Sequence, residues 1–317
     1  MSLRIERLVD LDQARALSRC VYETCGLTHH RRWLYEPQQA LAYNQAGYVS
    51  SFVAMEGSRC VGHLAAIRPF FEFDSLAPPI VEPKYREIGL SIVADSHPAG
   101  EVRALLTSAL YGWAIESGYE GLVNRCATHN PAEQALERAM GGVPTAMLLG
   151  SVPQASGGEM DGRSLSTLVS WVPMRGTKPQ KVYIPQIDQD LYAAIYDELG
   201  EDREICEVSD LPSIGPSTQL QVHFDPNRKV GRVHVLDAGP DLARRVLEQV
   251  EWMLGGNIQH VAVYSPMTSP FTARALLELK GHGLCFGGMV PGVDGEDLMV
   301  LQGLRNLDIR EEAIHVM

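Results

Sequence analysis

The sequence lacks cysteine or histidine pairs at metal-binding spacing, and it has no apolar run long enough to cross a membrane. Its 6 cysteines include no CxxC pair, and its 10 histidines form no HxxxH or mixed Cys/His pattern. Unpaired thiols without these motifs are typical of a reducing compartment, so we expect a cytoplasmic protein without a structural or catalytic metal. Because the sequence shows no signal peptide and no apolar run of membrane-spanning length, we do not expect secretion or membrane insertion.

Basic residues are in the minority. The chain has 27 Lys and Arg against 39 Asp and Glu, which gives a formal net charge of -12. An acidic surface argues against broad attraction to nucleic acid or to anionic membranes. Scattered arginines still allow a local basic groove.

Length and composition predict two domains. The chain has 317 residues, of which 45% are hydrophobic, and this is enough apolar material for two cores of ordinary size. Each half alternates strand-like and helix-like stretches, and Pro173–Pro185 is predicted to be a linker into the second half.

The most regular part of the N-terminal half predicts strand, turn, helix, strand, helix. The strands are Glu87–Ala94 and Leu122–Ala127, and the helices are Arg103–Ser117 and Pro131–Met140. The residues Gly141-Gly142 predict that the second of these helices ends there.

The two halves resemble each other at a fixed offset. Trp113 precedes Pro131 by the same number of positions by which Trp252 precedes Pro270. The offset that relates these two pairs also aligns an Ala-Gly dipeptide before each tryptophan-containing helix. The shared order of elements around these residues favours an internal duplication.

One block of the N-terminal half resembles the GNAT superfamily of N-acyltransferases. The residues that carry the resemblance are SIVADSHPAGEVRALLTSALYGWAIESGYEGLVNRCATHNPAEQALERAMGG. Within them, Asn130, Leu136 and Gly141 have the family's spacing around the fourth helix. The resemblance covers residues 40–150 well, and in the second half it depends on the internal repeat.

The resemblance implies an α/β (α+β) fold with two tandem GNAT-like domains. Each domain would have a mixed, mostly antiparallel sheet with a splayed parallel strand pair and flanking helices. Residues 1–154 would form the acyltransferase domain, and residues 155–317 would form a degenerate second copy.

The resemblance also implies a thioester co-substrate: acetyl-CoA, another acyl-CoA or an acyl-pantetheine on a carrier protein. Amides of the pantetheine arm would pair with the open edge between the splayed strands, and the pyrophosphate would meet the following helix N-terminus. The expected cofactor-binding residues are Ile92, Val93, His97, Ala99, Gly100, Glu101, Val102, Arg103, Asn124 and Asn130.

The phosphate turn departs from the family pattern. It lacks the usual Arg or Gln, and Glu101 places a negative charge where the pyrophosphate is expected, although Arg103 can offset part of it. A carrier-bound acyl group, which has one phosphate, would be affected less.

Three residues are candidates for catalysis. Glu87 begins the fourth strand, where the family often places its general base, and the alternative is a solvated strand-end residue. Glu137 stands where the family has its leaving-group acid, a tyrosine, and a solvated helix residue is the alternative. Cys126 with His129 would form a nucleophile pair for a ping-pong transfer, unless the cysteine is simply buried. The backbone N–H near Ile92 or Val93 would stabilise the oxyanion.

These residues predict an N-acyltransferase that acylates a small-molecule amine bound between the two domains. A non-catalytic ligand-binding or regulatory protein on the same fold is the first alternative, because the phosphate turn is degenerate and the tyrosine is absent. An aminoacyl-tRNA-dependent transferase is the second, and the net charge of -12 counts against it. Apart from such a tRNA, we expect no nucleic-acid or membrane partner, and the oligomeric state is not predicted.

Overall fold

The computed structural model describes residues 3–29, 31–69, 84–152, 164–208, 215–293, 295–307, 309 and 314. The described residues divide into two compact units, those up to residue 124 and those from residue 125 onward. The domain boundary predicted between residues 154 and 155 falls outside the described residues and stays a prediction.

The first unit is a mostly antiparallel sheet with helices. Its strands are β1 (Arg4–Arg7), β2 (Val49–Glu56), β3 (Arg59–Ile67), β4 (Tyr85–Val93) and the first part of β5 (Gly121–Ala127). Its α-helices are α1 (Leu11–Cys25), α2 (Pro37–Gln45) and α3 (Ala99–Glu116). The strands lie in the order β1-β2-β3-β4-β5, and only the β4–β5 pair is parallel.

Local sequence explains where the first helix begins. Asp10 accepts a hydrogen bond from the backbone N–H of Gln13 at 2.8 Å, and Gln13 accepts one from the backbone of Asp10 in return. This capping box satisfies donors that the first helical turn leaves open. Asp10 and Gln13 therefore determine where α1 begins.

The helices of the first unit cover both faces of the sheet. A Cβ added to Gly62 on β3 would lie 2.6 Å from Val102 Cγ1 of α3, so α3 packs directly on this glycine. Ala65 and Ile67 have the opposite parity to Gly62 on β3, and they belong to the core that includes Leu17 of α1. Consequently α3 lies on one face and α1 on the other.

The strands of the second unit are also mostly antiparallel. Its strands are β6 (Val143–Val152), β7 (Leu165–Pro173), β8 (Gln180–Tyr183), β9 (Arg203–Cys206), β10 (Gln219–Asp225), β11 (Val230–Asp237), β12 (His260–Pro266), β13 (Cys285–Val293) and β14 (Glu296–Leu304). Its α-helices are α4 (Pro131–Ala139), α5 (Gln189–Leu199), α6 (Leu242–Gly255) and α7 (Pro270–Gly281). The order is β7-β6-β13-β14-β12-β11-β10, and β8 pairs separately with β9 in parallel.

The same succession of elements occurs twice along the chain. The series β3, β4, α3, β5, α4, β6, β7 is followed by β10, β11, α6, β12, α7, β13, β14. The offset that relates Trp113 to Trp252 carries both ends of β5 onto both ends of β12, and it carries the first residue of α4 onto the first residue of α7. In each series the two strands around the long helix are parallel, whereas the last two strands are antiparallel.

The predicted linker Pro173–Pro185 is wrong in part, because it contains β8. That strand is held beside β9 near a buried ion pair, in which Arg203 Nε donates to Asp297 Oδ2 at 2.6 Å. Both side chains have 0% exposure, and Asp297 also accepts a hydrogen bond from Tyr196 Oη at 2.9 Å. A buried charge of this kind requires all its partners, so the segment is fixed by long-range contacts that local composition does not reveal.

The described residues contain neither a membrane span nor a metal site. No helix among them has the length and apolarity needed to cross a bilayer. Within the same ranges, no group of His, Cys, Asp and Glu side chains is arranged to hold a metal ion.

His63 in the first unit is 0% exposed and His260 in the second is 3% exposed, and their burial gives a pH prediction. Burial lowers the pKa of His63 and of His260 from 6.5 to about 4. Between these values the unfolded chain binds more protons, so we expect the free energy of unfolding to fall as the pH falls from about 6.5 to about 4, by up to about 3 kcal/mol per histidine. Urea unfolding at about pH 7 and about pH 5 measures this. The H63N variant should lose part of the difference, and equal stabilities at both pH values would contradict the prediction.

Candidate active site

The parallel pair of the first unit opens after three residue pairs. The register runs from Tyr85↔Gly121 to Glu87↔Val123, whereas β4 itself continues to Val93. In the second series the equivalent strands pair over five positions, ending at His234↔Tyr264. Beyond Glu87, β4 therefore has an edge whose backbone groups are not used by β5.

A β-bulge lies in the open part of β4. The register with β3 shifts between His63↔Ile92 and Ala65↔Gly89, so β4 has one extra residue there. Leu90 within the bulge has a φ of 58°, which is unusual for a residue with a Cβ. Bulges re-aim backbone and side-chain groups and are frequent beside active sites.

The candidate base, Glu87, is buried. It occupies the last residue pair before the opening and is 6% exposed, so its interpretation as a solvated strand-end residue is wrong. Ile92 and Val93, the predicted oxyanion positions, follow the bulge on the same strand. Ile92 is buried and Val93 is half-buried.

The predicted phosphate turn is shorter than expected. Helix α3 begins at Ala99, four residues before the predicted start at Arg103, so Ala99, Gly100, Glu101 and Val102 form its first turn. The N–H groups of Glu101 and Val102 donate to the Pro98 carbonyl at 3.1 and 3.2 Å. The N–H groups of Ala99 and Gly100 precede these bonds and face the N-terminal end of the helix.

Side chains in this turn differ in exposure. Ala99, Gly100 and Glu101 are exposed, and a Cβ added to Gly100 would meet no atom within 4 Å. Val102 is 3% exposed and packs into the core, so its side chain is not available to a ligand. Arg103 is half-buried.

His97 lies in the turn itself, between β4 and α3. Its side chain is 19% exposed, and its Nε2 lies 3.8 Å from Glu56 Oε2. Ser96 Oγ lies 3.0 Å from its Nδ1. Ser96 and Glu56 therefore flank the His97 ring just before α3 begins.

The two asparagines of the predicted site have different environments. Asn124 directly follows the last β4–β5 pair and is half-buried. Asn130 Oδ1 accepts a hydrogen bond from the backbone N–H of Glu133 at 3.2 Å and so caps α4. This capping role was not predicted, although Asn before Pro at a helix start is a recognisable signal for it.

Cys126 and Glu137 form a buried pair in the second unit. Cys126 Sγ donates to Glu137 Oε2 at 2.8 Å, and the two residues are 0% and 5% exposed. The interpretation of Glu137 as a solvated helix residue is therefore wrong. The exposed His129 is not the partner of the thiol, so a nucleophilic Cys126 would first have to break the bond to Glu137.

The turn of the second series that corresponds to Ala99-Gly100 is occupied by the chain itself. Gly239 N donates to Thr218 Oγ1 at 3.0 Å, and a Cβ at Gly239 would collide with the Pro216 carbonyl. Thr218 N in turn donates to Asp241 Oδ1 at 2.8 Å. The start of α6 thus binds residues 216–218, whereas the start of α3 is exposed.

The packing of Gly142 against Glu137 gives a stability prediction. A Cβ at Gly142 would lie 2.6 Å from Glu137 Cγ and 3.1 Å from its backbone oxygen, so we expect Gly142→Ala to destabilise the protein by about 1–3 kcal/mol. The control is Gly112→Ala in α3, where a Cβ meets nothing within 4 Å and helix propensity favours alanine by about 1 kcal/mol. Urea unfolding compares the two variants. Equal effects of both substitutions would contradict the packing argument.

No family model and no curated protein matches the sequence. Solved structures similar to it include a putative acetyltransferase from Salmonella typhimurium with acetyl-CoA, at 18% identity and a TM-score of 0.41 over 55% of this chain and 95% of that chain. A putative GNAT-family acetyltransferase from Desulfovibrio desulfuricans matches at 15% identity and a TM-score of 0.41, over 55% of this chain and 100% of that one. A phosphinothricin acetyltransferase from Sinorhizobium meliloti, in complex with acetyl-CoA, matches at 16% identity and a TM-score of 0.41 over 55% and 89%. These three solved structures are described as acetyltransferases, and each matches 55% of this chain.

Proposed function

We propose that the chain is an N-acyltransferase that moves an acyl group from acyl-CoA, or from another pantetheine thioester, to an amine. The observation that carries this proposal is the open edge of β4. Pairing with β5 stops at Glu87, and β4 then leads through a short turn into the exposed start of α3. An edge followed by a helix N-terminus offers binding groups for both ends of such a donor.

The two ends of the donor have different binding needs. Pantetheine carries amides, which can pair with an open strand edge as an added strand would. The pyrophosphate is an anion, and the exposed N–H groups of Ala99 and Gly100 with the dipole of α3 favour an anion. Because nothing lies within 4 Å of a Cβ at Gly100, the backbone there is open to close approach.

Glu101 works against a pyrophosphate at this position. Its side chain is exposed in the first turn of α3, and a like charge within a few ångströms costs on the order of 1 kcal/mol. A donor attached to a carrier protein has one phosphate and would be disfavoured less. The proposal therefore includes both acyl-CoA and acyl-pantetheine on an acyl carrier protein.

The proposed chemistry uses groups on β4. The amine nitrogen attacks the thioester carbonyl, its proton passes to the Glu87 carboxylate, and backbone N–H groups of Ile92 or Val93 stabilise the oxyanion. The carbon–sulfur bond then breaks, and the departing thiolate takes up the proton that Glu87 had accepted, which restores the carboxylate. The acceptor is a small-molecule amine.

The second series of elements supports a tandem duplication in which only the first copy binds donor. Its parallel strands β11 and β12 remain paired as far as His234↔Tyr264. The start of α6 is occupied by residues 216–218. Pro240 also removes one N–H from that turn. We assign residues 1–154 to the acyltransferase copy and 155–317 to a copy that serves as scaffold.

Gly100→Ala tests donor binding directly. Since the free protein has space for the Cβ, we expect unchanged stability but roughly tenfold weaker binding of acetyl-CoA by calorimetry, because the methyl group blocks the approach of phosphate. Gly112→Ala, in the same helix, should bind acetyl-CoA like the wild type. If neither acetyl-CoA nor a pantetheinylated carrier protein binds the wild-type protein, the proposed function is wrong.

Glu87→Gln separates an enzyme from a non-catalytic binding protein. Removal of a general base lowers the rate by about 10²–10⁴-fold, so we expect that loss in the transfer rate with unchanged affinity for acetyl-CoA. Acyl transfer to a panel of amines, with thiol release as the readout, measures it. A wild-type protein that binds acetyl-CoA but acylates no amine would instead support the non-catalytic alternative.

A further inference from the structure

The strand β10 lies at an edge of the sheet that no other described strand covers. It pairs with β11 on one side only, and the strand order ends with it in the part of the chain that the structure describes. None of its seven residues is buried, since each is half-buried or exposed. The outer edge of β10 therefore offers backbone N–H and C=O groups to a further strand.

The first unit covers the corresponding edge with two more strands. The order of elements aligns β10 with β3, and β3 pairs in antiparallel fashion with β2, which in turn pairs with β1. Under this cover, eight of the nine residues of β3 are buried. In the second series β8 and β9, which precede β10, pair with each other instead. The chain thus contains, in β2, an example of the strand that the edge of β10 lacks.

The tryptophans of the two long helices show the same difference. Trp113 of α3 packs edge-on against Phe52 of β2, with 5.8 Å between ring centroids, and Arg7 of β1 lies over its ring. Trp252 of α6 packs edge-on against Phe224 of β10, with 5.3 Å between ring centroids. Trp252 and Phe224 remain 59% and 44% exposed. An exposed aromatic pair beside an open strand edge is typical of an interaction surface.

β10 lacks the features that keep edge strands from pairing. Its first six residues, Gln219–Phe224, include no Lys, Arg, Asp, Glu or Pro. Burial and the charge of Arg232 lower the pKa of His223, so this residue is neutral near pH 7. By contrast β1, the edge strand of the first unit, is four residues long, and three of them are charged. Short, charged edge strands resist pairing, whereas a longer uncharged strand permits it.

The residues of β10 are complementary to a second copy of themselves. A strand edge that pairs with itself across a two-fold axis is antiparallel, and the register that pairs all seven residues places this axis at Val222. Leu220 is then opposite Phe224 of the second copy, which brings two apolar side chains together. Asp225 is opposite the uncharged Gln219, so no like charges meet in this register.

We propose that the outer edge of β10 is a homodimer interface, in which two copies of the chain pair their β10 strands antiparallel about Val222. The second copy then takes the place on β10 that β2 has on β3. Phe224 of each copy is covered by Leu220 of the other, and Trp252 loses exposure because it packs on Phe224. The proposal uses no group of the candidate active site, so it stands independently of the proposed function.

The first test is the oligomeric state of the full-length protein by sedimentation velocity. Between about 1 and about 100 μM we expect a reversible dimer for the wild type and at least about tenfold weaker association for Phe224→Lys, because a charge at a strand edge opposes pairing. Ile187→Lys is the matched control, since Ile187 is 82% exposed in the same unit but lies outside β10, and this variant should dimerise like the wild type. A wild-type protein that stays monomeric, which would leave the edge to a different partner, overturns the proposal, as does undiminished association of F224K.

The second test locates the interface and leaves Phe224 unchanged. In the proposed register the two Val222 Cβ atoms are about 5 Å apart across the axis, whereas the two Gln219 residues are about 20 Å apart. We therefore expect a short bismaleimide to crosslink Val222→Cys into dimers, and Gln219→Cys no more than the wild type, whose native thiols give the background. Equal crosslinking of the two variants, or none above background for V222C, would contradict the proposed pairing.

Discussion

Backbone hydrogen bonding along β4 is the constraint on which the candidate site depends. Each strand of a sheet must pair its N–H and C=O groups on both edges or leave them for another partner. On one edge β4 pairs with β3 along most of its length, and on the other its pairing with β5 ends at Glu87. The bulge at Leu90, the half-exposed residues around it and the exposed start of α3 all follow this point in the chain. A thioester arm has the amides that such an edge requires.

The second series shows that topology alone does not create this site. Its strands and helices occur in the same order and with the same parallel pair, yet β11 and β12 pair further and the start of α6 is filled by Thr218 and its neighbours. Two similar arrangements in one chain therefore differ in the property that matters for binding, namely which backbone donors are already used. Function has to be argued from these donors and not from the order of the strands.

Much of the architecture could be predicted from the sequence because periodicity and turn residues are local signals. The offset between the two tryptophan-proline pairs coincides with the offset between the bounds of β5 and β12, and α2 begins at Pro37. The features that the sequence did not predict correctly depend on long-range packing. The burial of Glu87 and Glu137, the pairing of β8 with β9 and the bulge at Leu90 are set by neighbours that are distant in sequence. No pattern within a few residues of these positions contains that information.

The chemistry of His63 shows how burial selects a protonation state. Burial holds its pKa at about 4, so the ring is neutral near pH 7, and the Leu90 carbonyl fixes the hydrogen on Nδ1. A protonated ring would donate hydrogen bonds from both nitrogens, whereas the neutral ring donates from Nδ1 and can only accept at Nε2. The sequence alone would have allowed either. Because desolvation disfavours the charged ring, His63 adds no positive charge to the bulge near pH 7 and acts there only as a hydrogen-bonding group.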